Sequence, residues 1–224
     1  MKLKQINGNY LDLTQFPSLI EFSKKPYSFT EYIINNEINN NVWYDKILED
    51  LNNNSVIIDA GANVGLFSLY MLPKVKELYC IEPMLEHVEV LKSLNLNCKI
   101  YQVALSNQNG TTTFKVNSSN TTCNKIGDGD LIVETITLLS LLEANNIKEV
   151  DLLKLDIEGG EQMVILEDNT VGDALKRCKT VFIECHTPPW GNVNENEVIN
   201  KMKSFGFKHK KGTRNLSHYF INTK

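Results

Sequence analysis

The stretch Val56-Ile57-Ile58-Asp59-Ala60-Gly61-Ala62-Asn63-Val64-Gly65-Leu66-Phe67-Ser68-Leu69-Tyr70-Met71 decides the fold class. Its first three residues are β-branched and apolar, the composition of a buried strand. Asp59 closes the strand, Gly61 permits a tight turn, and Gly65 lets a helix or a ligand approach closely. The residues from Gly65 to Met71 then predict a helix. Outward from this unit the alternation repeats. Strands are predicted at Leu78–Ile81, Lys99–Val103, Val150–Leu155 and Val181–Ile183, with helices at Leu85–Leu94 and Glu161–Leu166 among them. Strands alternating with helices mean an α/β fold with a parallel sheet and helices on both faces.

Two regions break the alternation. Thr111–Val116 and Leu131–Thr137 read as a strand pair around the polar loop Asn117–Asp130, and Phe205–Lys208 with Tyr219–Asn222 read as a closing antiparallel pair. Residues 1–29 have no clear period. Thr30–Leu51 has a helical pattern, expected to split near Asn39–Asn41 and to stop at the turn-forming run Asn52–Asn54. Residues 1–50 are therefore expected to form an arm and helical cap on a domain spanning 51–224, the whole making a single unit.

Composition narrows the function classes. The 224 residues are 42% hydrophobic and 22% charged, which excludes a disordered or fibrous chain. Lys and Arg number 23 against 27 Asp and Glu, a net charge of −4. The only basic cluster is Lys208–Arg214, so a nucleic-acid partner is not expected. The N-terminus lacks the apolar core of a secretory signal, and the greasy runs Val56–Leu72 and Leu131–Ala144 are interrupted by Asp59 and Glu134. No membrane span is expected. The five cysteines have no C-x-x-C spacing and read as buried thiols in a reducing cytoplasm.

Chemistry enters through the placement of acids. Four of the five core strands end in a carboxylate: Asp59, Glu82, Asp156 and Glu184. Ligands of open α/β sheets bind outside the carboxyl ends of the strands. Four acids on that rim repel one another, so stability alone does not gather them. A cleft lined with one sign of charge attracts the other, which predicts a cationic ligand, a metal, or both. Glu82 ends its strand roughly 20 residues after Asp59, the spacing at which an acid reaches ribose hydroxyls. A diphosphate at the following helix would be opposed by Asp59. A nucleoside carrying an ammonium and no phosphate fits, and S-adenosylmethionine has those properties.

The residues resemble the FkbM-type branch of S-adenosylmethionine-dependent methyltransferases. The likeness rests on Ile58–Ser68, on Val103-Ala104-Leu105-Ser106 followed by Asn109-Gly110, and on Asp151-Leu152-Leu153-Lys154-Leu155-Asp156-Ile157-Glu158-Gly159-Gly160-Glu161. The last carries K-x-D-x-E-G-x-E, the pattern most specific to the branch, and Phe182-Ile183-Glu184-Cys185-His186 adds an acid and a histidine. The resemblance implies a Rossmann-like class I methyltransferase fold, with a seven-stranded sheet of six parallel strands and one antiparallel. It also implies O-methylation of a hydroxyl on a sugar, polyketide or other small metabolite. Ser140 stands where the branch usually has an acid, and Gly160 where alanine is common.

Roles follow from that reading. Glu82 is expected to accept from both ribose hydroxyls, and Asp59 to favour the cofactor ammonium. Gly61, Asn63 and Gly65 would wrap the methionine portion, with Val103, Ala104 and Leu105 lining the adenine pocket. A hydroxyl needs its proton removed or a metal beside it before it attacks a methyl group. His186 is the expected base, oriented by Glu184. Asp156 is a base, an orienting group or a metal ligand beside the cofactor. Hard oxygen ligands at Asp156 and Glu184 would suit Mg²⁺. Glu158 and Glu161 share one side of a predicted helix start, where Lys154 would pair with either. Trp190 would line the acceptor pocket, and His87, His209 and His218 are expected at the surface. The competing readings are a non-catalytic cofactor-binding module, an RNA or protein methyltransferase and, last, a nicotinamide dehydrogenase.

Overall fold

Strand period places alternate residues of each core strand on opposite faces of one sheet, and the two apolar clusters of this computed structural model follow that division. Ile58, Tyr79, Ile81, Leu153, Leu155, Val181 and Ile183 belong to one cluster; Ile57, Leu78, Cys80, Leu152, Phe182 and Tyr219 belong to the other. The structure describes residues 1–43, 46–116, 125–127, 129–188 and 191–223.

The N-terminal segment begins with an antiparallel pair, β1 (Lys2–Lys4) and β2 (Tyr10–Asp12). Next come α1 (Pro17–Ser23), with proline at its first position, and α2 (Thr30–Tyr32), which runs into a π-helical turn at Ile33–Ile38. Asn41 takes a φ of 60° beyond it, and a 3₁₀ turn follows at Lys46–Asp50. The break falls in the asparagine run, because asparagine tolerates the left-handed region. Leu3, Leu13, Leu19, Phe22, Ile34 and Ile38 all enter the second cluster. The described residues of the 1–50 segment thus cover one face of the sheet.

The central region holds β3 (Val56–Ala60), α3 (Leu66–Met71), β4 (Glu77–Ile81), α4 (Leu85–Ser93) and β5 (Lys99–Tyr101). It continues with β6 (Ala104–Leu105), β7 (Gly110–Lys115), β8 (Lys125–Ile126), β9 (Leu131–Ile136) and α5 (Leu138–Ala144). The chain then forms β10 (Val150–Leu155), a π-helical turn at Met163–Glu167, α6 (Val171–Leu175) and β11 (Cys178–Glu184). It ends with α7 (Glu195–Ser204), β12 (Phe207–Lys211) and β13 (Ser217–Asn222).

The main sheet has seven strands in the order β12-β13-β11-β10-β3-β4-β5. β11, β10, β3, β4 and β5 are parallel, while β13 is antiparallel to both its neighbours, β11 and β12. Six strands therefore run one way and one the other, as the resemblance implied. The predicted strand Lys99–Val103 is shorter: it leaves the main sheet after Tyr101, and Ala104–Leu105 pairs instead with β9 in a four-stranded sheet ordered β6-β9-β7-β8. Most of the 117–130 loop and Cys123 lie outside the described residues. Ser140 closes a cap with Thr137, whose Oγ1 accepts from the Ser140 N–H at 3.2 Å.

Three histidines differ from expectation. His87 is buried because its face of α4 packs under α1, where the Phe22 ring meets it edge-on at 5.6 Å. His218 is fully buried on β13, stacked on the half-buried His209 of β12, and the two share a 2.9 Å hydrogen bond. No helix among the described residues is long and apolar enough to cross a membrane.

Candidate functional site

A cavity of about 890 Å³ opens at the carboxyl ends of β3, β4, β10 and β11, where an open α/β sheet places its ligands. Its volume falls in the roughly 300–1,000 Å³ range of small-molecule sites. Phe29, Tyr32, Glu37 and Trp43 of the N-terminal segment form part of its wall.

At one end lies the loop after β3. The N–H groups of Gly61 and Ala62 donate to the Ile81 carbonyl at 3.0 and 3.1 Å, tying the loop to β4. Gly61 has a φ of +76°, and a Cβ there would fall 1.7 Å from the Asp156 carbonyl oxygen, so only glycine fits. Asn63 adopts φ 49°, and its N–H donates to Glu82 Oε2 at 2.9 Å. Glu82 Oε1 accepts from the Met84 N–H at 3.0 Å and lies 3.2 Å from His87 Nδ1. The glutamate is thus held by its neighbours while still facing the cavity, which Val103, Ala104 and Leu105 also line. Gly65 stands behind the wall: its φ is +86°, and a Cβ would meet the Leu91 and Leu94 side chains at 2.6 and 2.8 Å. Its role is close packing of α3 against α4.

Asp59 does not line the cavity. It is fully buried, accepts from Ser68 Oγ at 2.7 Å and pairs with Lys154 at 3.1 Å. Burial pushes its carboxyl above the usual range. Lys154 stands between Asp59 and the cavity, directly across the β10–β3 register from Asp59. Its ammonium donates to the Gly61 carbonyl at 3.1 Å and lies 3.4 Å from Asp156 Oδ2. Burial opposes the lysine's charge, but Asp156 and Asp59 outweigh it and hold its pKa above the ordinary value. Lys154 therefore pairs with these two aspartates, not with Glu158 or Glu161.

The other end of the cavity gathers the remaining acids around His186. Residues 158–160 form a turn ahead of the predicted helical stretch, which starts at Glu161, and Glu158 sits in that turn in the left-handed region at φ 55°. The fully buried Glu161 accepts N–H bonds from Ile157 and Gly159, each at 2.9 Å, and lies 3.0 Å from His186 Nδ1. On the other side of the ring, Nε2 is 3.3 Å from Glu158 and 3.8 Å from Asp156. Glu161, not Glu184, orients the histidine. Glu184 instead pairs with Arg214, at 2.8 and 3.2 Å. Arg214 also lies 3.5 Å from Glu37, whose carboxylate accepts from the Trp43 indole at 2.7 Å.

The electrostatics follow this geometry. Burial works against the His186 charge, yet the hydrogen bond to Glu161 and the charges of Glu161, Glu158 and Asp156 raise its pKa to about 10. Burial lifts Glu158 to about 8 against the pull of His186. Burial and Asp156 lift Glu184 to about 7, with Arg214 opposing. Asp156 is held below the usual range because Lys154, His186 and Arg214 outweigh its burial. Asp156, Glu184 and His186 each bring one donor atom within 4.8 Å of the others.

The sequence reading missed Arg214, Glu37 and His87 as cavity residues, and Lys154 as the link between two acidic strand ends. Lys154 carried a signal, a lone cation within the apolar run Leu152–Leu155. Arg214 carried none, because the turn between β12 and β13 reaches the site only through tertiary structure. Trp190 lies outside the described residues.

No curated protein sequence matches the chain. Among solved structures, a methyltransferase FkbM from Methylobacillus flagellatus KT superposes with a TM-score of 0.55 at 12% identity, over 93% of this chain and 58% of that one. The chain thus spans little more than half of that relative. Magnesium protoporphyrin IX methyltransferase from Synechocystis PCC 6803, solved with bound SAM, superposes with a TM-score of 0.51 at 11% identity, over 94% and 92% of the two chains. These likenesses show the class I methyltransferase fold. The sequence model of the methyltransferase FkbM domain matches residues 59–209, most of the chain and every acidic strand end that faces or supports the cavity, and the protein belongs to the FkbM family of S-adenosylmethionine-dependent methyltransferases.

Proposed function

We propose that the chain methylates a hydroxyl group of a small molecule or saccharide, with the nucleoside held at the Glu82 end of the cavity and the acceptor at the His186 end. The observation that carries this reading is the continuity of one cavity between those ends. S-Adenosylmethionine supplies an electrophilic methyl group on a sulfonium. Glu82 would hold the ribose through Oε2, which takes only the Asn63 N–H and keeps a lone pair, while Oε1 already takes the Met84 N–H and faces His87 Nδ1. Gly61, Asn63 and the Val103–Leu105 segment would enclose the rest of the nucleoside and the methionine portion. Asp59 acts through Lys154, which it neutralises, instead of touching the ammonium. Asp156, with Glu158 and His186, would stand beside the reacting hydroxyl.

The test is calorimetric titration of S-adenosylmethionine and S-adenosylhomocysteine into the wild type and Glu82→Ala. Removing this charge-assisted ribose contact is expected to weaken binding by roughly 1.5–3 kcal/mol, about ten- to a hundredfold. Equal affinity in the variant would remove Glu82 from the cofactor site. Absence of binding to the folded wild type would overturn the assignment of the cavity.

The 4.8 Å cluster of Asp156, Glu184 and His186 supports a second reading, in which Mg²⁺ sits beside the acceptor. Two fixed cations already serve those carboxylates: Arg214 pairs with Glu184 and Lys154 with Asp156. A divalent ion would have to displace or crowd both, so the metal-free reading is the better supported. Turnover is expected to survive EDTA unchanged. Activity lost to the chelator and restored by Mg²⁺ would assign the ion to these donors. The same acids disfavour phosphate-rich acceptors such as nucleic acid. The free thiols, three of them buried, suit a cytoplasmic location.

A further inference from the structure

Five carboxylates surround the His186 end, and four are already committed. Glu161 spends its oxygens on two backbone N–H groups and on the imidazole, and it is fully buried. Glu184 is paired through both oxygens with Arg214, Asp156 is paired with Lys154, and Glu37 takes the Trp43 indole and Arg214. Glu158 differs. Among the described residues its carboxylate has one close partner, His186 Nε2 at 3.3 Å, and no lysine or arginine within ion-pair distance. Its side chain is 24% exposed and lines the cavity. The left-handed backbone at φ 55° that aims it there is strained for a glutamate, and Gly159 follows at φ 97°. Such strain persists where the surroundings enforce it and collects at functional sites.

The imidazole geometry gives the second half of the argument. His186 is sandwiched: Glu161 Oε1 lies 3.0 Å from Nδ1 and Glu158 Oε2 lies 3.3 Å from Nε2. Two acceptors facing the two ring nitrogens require a proton on each contact, since lone pairs directed at one another repel. A histidine in that arrangement has no free lone pair for an incoming hydroxyl.

We infer that Glu158, and not His186, is the group that touches the acceptor hydroxyl and takes its proton. His186 is then a positioning residue that carries positive charge behind Glu158 and is fixed by Glu161. This assignment rests on the methyltransferase reading of the same cavity. The acceptor O–H bond breaks and its proton passes to the free Glu158 oxygen. The acceptor oxygen forms a bond to the methyl carbon, and the S–CH₃ bonding pair stays on sulfur. The proton later leaves to water.

One test needs no acceptor: ¹⁵N NMR of the His186 ring with S-adenosylhomocysteine bound, in the wild type and in Glu158→Gln. The charged and titratable groups that set this signal are Asp156, Glu158, Glu161, Glu184, Lys154, Arg214 and Glu37. The wild type is expected to show both ring nitrogens protonated at pH 8, and Glu158→Gln to shift His186 titration to lower pH. A neutral ring with bare Nε2 in the wild type would make His186 the base and overturn the inference.

The second arm measures S-adenosylhomocysteine formation with a panel of methyl glycosides as acceptor probes. Glu158→Gln is expected to lower turnover by about 10²–10⁴-fold with unchanged binding of S-adenosylhomocysteine. Glu158→Asp is expected to recover part of it. Unchanged turnover in Glu158→Gln, or loss of cofactor binding in both variants, would overturn the inference. Absence of cofactor binding in the wild type would instead defeat the methyltransferase reading of the cavity, a separate outcome.

Discussion

His186→Ala is expected to lower methyl transfer by about 10²–10⁴-fold while S-adenosylhomocysteine binds as to the wild type. The nucleoside end of the cavity contains none of the atoms that change. Glu82 takes its bonds from Asn63, Met84 and His87, and Glu161 keeps its two backbone N–H donors without the imidazole. Local structure should therefore survive. What disappears is the positive charge between Glu158 and Glu161. Without it, Glu158, Asp156 and Glu184 repel one another more strongly and keep their protons to higher pH than in the wild type. The measurement pairs single-turnover kinetics with calorimetric binding. Full turnover in the alanine variant would show that the His186 charge plays no part in the proton transfer. A wild type that binds cofactor and methylates no hydroxyl compound would favour the non-catalytic module.

The strand-end acids Asp59, Glu82, Asp156 and Glu184 were legible because a strand's last residue and the rim of a parallel sheet are tied by topology. Their partners were not. Asp59 reads as a ligand-facing acid until the β10–β3 register sets Lys154 opposite it, and no local pattern encodes that register. Glu158 and Glu161 read as neighbours on a helix, whereas Gly159-Gly160 allow the turn that sends one into the cavity and the other beneath the imidazole. His87 reads as a surface residue of α4 because the element that buries it, α1, lies far away in sequence and shows no clear period. Arg214 belongs to a basic cluster that composition treats as solvated, and only the return of β13 beside β11 carries it to Glu184. Chemistry carried by backbone placement was thus readable. Chemistry carried by long-range side-chain pairing was not.

Lys154→Met should be the most destabilising of the substitutions considered, because it removes one partner from a buried ionic group and leaves the other in place. Asp59 has no exposed surface, and Ser68 is its remaining hydrogen-bond donor. Breaking a buried pair from one side costs roughly 3–5 kcal/mol, since the orphaned charge must be buried unpaired or protonated. For a domain of this size that corresponds to a fall in midpoint of roughly 6–20 °C. Methionine keeps most of the lysine's apolar length, so the effect reports charge more than volume. In the variant Asp59 loses the cation that offsets its burial in the wild type, so its pKa rises further and the folded state gains stability as the pH falls through that value. Asp156, whose pKa is depressed in the wild type, loses its contribution only below the ordinary carboxylate range, at about pH 4 and lower. The stability gap between the two proteins should therefore narrow in urea unfolding as the pH falls through the raised Asp59 value. The double variant Asp59→Asn/Lys154→Met should recover part of the loss, because no charge is then stranded. A gap below about 1 kcal/mol at pH 7, or one that widens in acid, would mean that Asp59 is neutral in the folded protein. Lys154 would then serve Asp156 and the cavity alone.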